Sequence, residues 1–193
     1  MQSQFFCCDC IVSLLQLNHI IMNSLNQFEL FPTDEDILAD RRSGALFGEG
    51  RKYRYVLWRI WDANKPKVMF IGLNPSTANE DQDDPTIRRV VSFAKRWGYG
   101  GVYMLNLFTC VTAYPEELKK CENPLMLADW HLQQYAKECE RIIFAWGSFP
   151  EATERAQQVL AMFDKGEALI LNKDGSPRHP LYVPGSVIPV RVK

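Results

Sequence analysis

Four apolar runs in this chain end in side chains able to do chemistry. Gly72-Leu73-Asn74-Pro75-Ser76-Thr77 closes the first, Asn106-Leu107-Phe108-Thr109 the second, Trp146-Gly147-Ser148 the third, and Arg178-His179-Pro180-Leu181-Tyr182 follows the fourth. A side-chain amide offers a donor and an acceptor side by side, and imidazole titrates near neutral pH, so these types suit recognition and proton handling. Asn74 sits in a tight loop between Gly72 and Pro75, where it is held rather than free. His179 lies between Arg178 and Pro180 in a loop, not on an apolar face. Each has a structural alternative: Asn74 and Ser76 as turn or helix caps, Asn106 as a buried amide tying two loops, His179 as a satisfied histidine. His131, in a helical pattern, and His19 read as structural or exposed.

Charge narrows the partners. Formal net charge is -1 over 193 residues, without the basic excess of a packaging protein. Residues 51–100 nonetheless carry 10 basic against 5 acidic side chains, and residues 1–50 carry 2 against 7. Any anionic ligand is steered toward that second block, which includes Arg51, Lys52 and Arg54; the alternative is a solvated helix face. Within it, Asp83-Asp84-Pro85-Thr86-Ile87-Arg88-Arg89 opens a helix, with Asp84 as N-cap and Pro85 in the first turn. Helix N-termini beside arginines bind phosphate, which makes Arg88 or Arg89 a candidate, opposed by Glu80, Asp81, Asp83 and Asp84. Neither dinucleotide nor P-loop glycine patterns occur, and zinc-protease and nucleophile-elbow motifs are missing as well.

The elements that position these groups follow from the same runs. Val68 to Leu73, Val102 to Leu107, Arg141 to Trp146 and Ala168 to Leu171 read as strands buried on both faces. Helical patterns at Pro85 to Trp97, Pro124 to Cys139 and Pro150 to Phe163 alternate with them. The expected fold is therefore a three-layer α/β/α domain with a central, mainly parallel four-stranded sheet. Tyr53 to Trp61 reads as an edge strand or a short helix, and the tail from Lys173 as mostly loop. Residues 1–50 are expected to be a leader and arm, poorly ordered in part, with Gly44, Gly48 and Gly50 interrupting residues 22–50; residues 51–193 form the single α/β domain. The polar, acidic segment after Met22 reads like an ordinary N-terminus, so residues before it are expected to be either an over-extended start or a loosely attached leader. No run is long and apolar enough for a membrane span, and no secretory signal precedes the cysteines, so a cytoplasmic protein with reduced cysteines is expected. Nothing in the sequence decides between a monomer and an oligomer. Cys7, Cys10, Cys110 and Cys121 make a poor set for zinc or an iron–sulfur cluster because they lack two tight pairs, so neither cofactor nor metal is expected.

The motifs FIGLNPSTA, DDPTIRR, WGYG, NLF, FAWG and GSPRHPLY together resemble the domain of unknown function family 1643 of bacteria and phages, from about Tyr53 to Tyr182. Their order, GLNP, a strand ending in Asn, a strand ending in WG, then HPLY, is more distantly similar to the uracil-DNA glycosylase superfamily. That resemblance implies a glycosylase-like fold and attack on a nucleobase N-glycosidic bond, in DNA or a nucleotide. It implies catalytic roles for Asn74, positioning the water, and His179, stabilising charge on the departing base. Asn106 would read the base edge and Phe108 would stack on it. Ser76, Thr77, Arg88 and Arg178 complete the expected substrate-binding set. A non-catalytic nucleic-acid or nucleotide binder that keeps the pocket is the alternative, and a small-metabolite enzyme the third.

Overall fold

Val68, Met69, Phe70 and Ile71 are all fully buried in one strand, and a strand apolar on both faces needs cover on both. The computed structural model describes residues 42–125 and 127–192. Met22, Cys7, Cys8, Cys10 and the leader lie outside the described residues.

The described chain runs β1 (Ser43–Phe47), β2 (Arg54–Ile60), β3 (Lys67–Gly72), α1 (Pro85–Arg96), β4 (Gly101–Asn106), α2 (Ala128–Lys137), β5 (Arg141–Phe144), α3 (Thr153–Ala161), β6 (Glu167–Ala168) and β7 (Val190–Arg191). One sheet holds the strands in the order β1-β2-β4-β3-β5-β6-β7. β4, β3, β5 and β6 are mutually parallel, whereas β1, β2 and β7 pair antiparallel. The expected four strands are thus only the parallel centre of a seven-stranded mixed sheet.

The strands that escaped the pattern did so for identifiable reasons. β2 is no edge strand: flanked by β1 and β4, it is buried from Arg54 through Trp58 and has no alternation to read. β1 lies within the expected arm because Gly44 faces Trp58 across the ladder, where a Cβ would come within 2.1 Å of the indole. A glycine that reads as a breaker is here the space for an aromatic ring. β7 is two exposed residues, and β6 stops at Ala168. Beyond it, Leu171 bridges Pro177.

α1 begins as its sequence predicts: the Asp84 carboxylate accepts the Ile87 N–H at 2.8 Å and Pro85 occupies the first turn. Its buried Ile87, Val90, Phe93 and Ala94 pack on Leu57, Val68, Phe70, Val102 and Met104. Burial of each large apolar side chain there contributes about 1.5–3 kcal/mol. On the opposite face Tyr103 meets Tyr135 of α2, ring centroids 4.9 Å apart. α2 starts four residues later than the pattern implies, because Leu127 takes a left-handed φ of 53°. A 3-10 turn, Pro150–Ala152, replaces the expected first turn of α3. Arg155 of α3, 5% exposed, donates to the Leu107 carbonyl at 3.0 Å and pairs with Asp129 of α2.

Cys110 and Cys121, expected as reduced thiols, are joined in a disulfide that closes the loop carrying the 3-10 turn Pro115–Lys120. The Tyr53–Cys110 bridge anchors one end of that loop to the start of β2. Among the described residues, no helix is long and apolar enough to cross a membrane.

Candidate functional site

Chain order makes the crevice. From β3 the chain crosses through α1 to β4 on one side, then returns through α2 to β5 on the other side of β3. Loops leaving the carboxyl ends of these strands therefore diverge, and open α/β sheets bind ligands at such a switch point. A cleft of about 710 Å³ opens there, within the range of small-molecule sites.

Asn106, the last residue of β4, lines it. The residue is 3% exposed, and neither its Nδ2 nor its Oδ1 has a hydrogen-bond partner among the described residues. It therefore does not tie two loops together. Gly72, beside it at the end of β3, keeps the approach open: a Cβ there would lie 2.8 Å from Asn106 Oδ1 and 2.6 Å from Met104 Cε. Close approach, rather than a turn, explains this glycine.

Asn74 is differently employed. Its Nδ2 donates to the Thr112 carbonyl at 2.7 Å and to the Pro75 carbonyl at 3.0 Å, stapling the loop after β3 to the loop after β4. With both amide hydrogens committed, what Asn74 retains for a ligand is its carbonyl oxygen. Ser76 and Thr112 line the cleft near it.

His179 enters from the carboxy-terminal loop. Its Nδ1 accepts a long hydrogen bond, 3.4 Å, from Leu181 N–H, which leaves Nε2–H as the donor. Burial holds the imidazole below its ordinary pKa, opposed by the negative charge of Asp84, so the neutral ring prevails at neutral pH. Gly147, at φ 83°, lets the loop after β5 pass His179, with 3.5 Å between a Cβ placed there and His179 Cβ. Exposed Tyr182 lies 5.8 Å from the His179 ring, and buried Trp146 adds a second aromatic wall. Arg178 donates through Nε to Asn172 Oδ1 at 2.9 Å, and both residues line the cleft.

The least expected member is Arg54. Its guanidinium belongs to a residue 2% exposed, lines the cleft, and donates through Nη1 to the Ala78 carbonyl at 2.8 Å. A bulge aims it there. Leu46 faces Val56 but Phe47 faces Arg54, so Tyr55 is the extra residue. Leu57 consequently packs under α1 while Tyr55 stacks on His131 of α2, and Arg54 reaches the loop that precedes α1. Burial lowers the guanidinium to about 10, partly offset by Asp84, and leaves it protonated at neutral pH.

Five expected residues, Asn74, Ser76, Asn106, Arg178 and His179, thus line one cleft. Three others do not. Thr77 is exposed; Arg88 follows buried Ile87 onto the exposed side of α1, where it donates to the Asp83 carbonyl; Phe108 is half-buried, its N–H bonded to Leu73 O at 3.0 Å. Arg89 also turns away, donating to the Val183 carbonyl over the Phe93 ring. Asn172 and Thr112 were not legible as site residues, and Arg54 only as one cation of the basic block 51–100. A further signal for Arg54 was an arginine heading the apolar run YVLWRI.

The sequence model of a family described as protein of unknown function, DUF1643, matches residues 54–181. No curated protein and no solved structure matches the chain.

Proposed function

We propose, for this chain that belongs to the DUF1643 family of unknown function, that the cleft receives a nucleobase and supports hydrolysis of its N-glycosidic bond, in DNA or in a free nucleotide. The observation that carries this reading is the Asn106 amide, buried beside Gly72 with donor and acceptor both unpartnered. A buried polar group left unmatched costs about 1–3 kcal/mol, and the amide-like edge of a base matches both at once. Tyr182 and Trp146 supply faces on which a base can stack. The motif order, which resembles that of the uracil-DNA glycosylase superfamily, favours the same reading.

Hydrolysis adds water across the C1′–N bond. The water oxygen bonds to the sugar carbon, the electron pair of the broken bond leaves with the base nitrogen, and the water proton reaches that nitrogen through solvent. Asn74 orients the water through its remaining carbonyl oxygen but, being an amide, accepts no proton. His179, neutral and donating through Nε2–H, stabilises the charge that develops on the departing base. Asn106 holds the base edge.

Binding without catalysis is the second reading. It is favoured by the commitments of two groups: Asn74 staples loops, and Asp84, the carboxylate of the cleft wall, caps α1. A base-release assay over uracil, mismatched and modified-base oligonucleotides and free nucleotides separates the two. Release by the wild type, reduced about a hundredfold in Asn74→Ala with base binding retained, is expected. Binding without release from any substrate leaves the binder. If no base binds, both readings fail and a small-metabolite enzyme replaces them.

Gly72→Ala probes the pocket without touching a polar group. The end of Met104 can yield to the new methyl, so the fold persists with a Tm within about 5 °C of the wild type. The Asn106 amide is displaced, and base affinity falls about tenfold or more. Unchanged affinity in calorimetric titration sinks the assignment of Asn106 to the base.

A further inference from the structure

A charge taken out of water needs compensation, and several kcal/mol are at stake when it is incomplete. Arg54 is such a case. Its residue is 2% exposed, its Nε is buried without a partner, and no carboxylate among the described residues lies within ion-pair distance. The Ala78 carbonyl satisfies Nη1 alone. Elsewhere in the protein, partly buried Arg59 has Asp83 at 2.8 Å and buried Arg155 has Asp129. The strand bulge at Tyr55 holds Arg54 against the cleft wall at the same strand ends as Asn106.

From this the geometry points to Arg54 as the buried anchor for a phosphate group of the ligand, so that the cleft takes a phosphorylated nucleoside, with the base at Asn106 and the phosphate at Arg54. This rests on the nucleobase reading above and adds the second half of the ligand. A guanidinium presents several N–H donors in a planar fork, which suits phosphate oxygens better than an ammonium does. Arg178 adds a second cation to the lining. Asp84 opposes them, but it is one carboxylate against two guanidinium groups, with an oxygen already engaged by the Ile87 N–H. The phosphate can belong to a free mononucleotide or to a nucleic-acid backbone. Arg88 and Arg89, adjacent to the helix N-terminus, do not serve, since both donate to backbone carbonyls away from the cleft.

Calorimetric titration of the full chain tests this with four probes: a nucleoside, its 5′-monophosphate, a short single-stranded oligonucleotide and inorganic phosphate. The wild type should bind a phosphate-bearing probe roughly thirtyfold tighter than the nucleoside, the worth of a charged hydrogen bond or two. Arg54→Met should lose that preference and Arg54→Lys should keep part of it. Tight monophosphate binding identifies a free nucleotide as the source; tight binding of the oligonucleotide alone identifies the backbone; either supports the anchor. The anchor is overturned if the wild type binds nucleoside as tightly as both phosphate-bearing probes, or if folded Arg54→Met keeps the preference. Should Arg54→Met not fold, the wild-type comparison and Arg54→Lys decide. If no base binds but inorganic phosphate binds the wild type and not Arg54→Met, the nucleobase reading fails while the anchor stands.

Discussion

Asn106→Leu is expected to fold as well as the wild type or better, and to lose nucleobase affinity by at least about a hundredfold. The two halves of that result come from one observation. Asn106 is 3% exposed and both of its amide atoms are unpartnered, so the folded protein carries an unsatisfied polar group at the end of β4. Replacing it with an apolar side chain of similar size removes a desolvation cost of about 1–3 kcal/mol, raising Tm by several degrees. The same replacement takes away the donor and the acceptor that a base edge needs, and sites built on such pairs reject an unmatched partner strongly. Thermal melting and calorimetric titration of a panel of bases check the two halves together. A variant that is markedly destabilised and still binds would show that Asn106 is a structural amide.

The second large effect concerns pH. His131 of α2 is 2% exposed, stacked on Tyr55 with ring centroids 4.8 Å apart, and neither ring nitrogen has a partner among the described residues. Burial pulls its pKa down from 6.5 to about 4. Between those values the unfolded chain binds a proton that the folded chain refuses, so stability falls as the pH drops through the window and levels off below it. The loss is about 3 kcal/mol, a large part of the stability of a small domain. His131→Phe keeps a ring against Tyr55 and removes the proton site. Urea denaturation at pH 7.5 and pH 4 should therefore show the wild type losing about 3 kcal/mol more than the variant over that interval. Equal losses in both proteins would dismiss the histidine as the source of acid lability.

The parallel centre of the sheet and the helix α1 were legible because local chemistry and tertiary role agree there. Short runs rich in β-branched and aromatic residues, such as VMFIGL, favour a strand covered on both sides, and Asp84-Pro85 announces the helix that follows. Asn74 and Asn106 could be picked out for a related reason: in a parallel sheet, residues just past strand ends share one edge whatever the details of packing, and Arg178 and His179 reach that edge from the loop that follows β6. Thr77 and Phe108 obey the same rule of position yet miss the cleft, since loop conformation decides which of several adjacent side chains faces inward.

What the amino-acid sequence determines by itself is periodic and local: which runs are apolar, where a helix can start, and which polar groups stand at strand ends. Tertiary structure alone decided three things. A glycine expected to break regular structure became part of β1, because Trp58 of the neighbouring strand occupies the space its missing side chain leaves. Cys110 and Cys121 met because the fold closes the loop between them. Arg54 became part of the cleft because one extra residue in β2 reverses the alternation of faces, and the loop carrying Ala78 then shields its guanidinium from water. The physical reason is common to all three. Partners distant in the chain set the environment, and neither a residue's type nor its near neighbours record which partner will arrive.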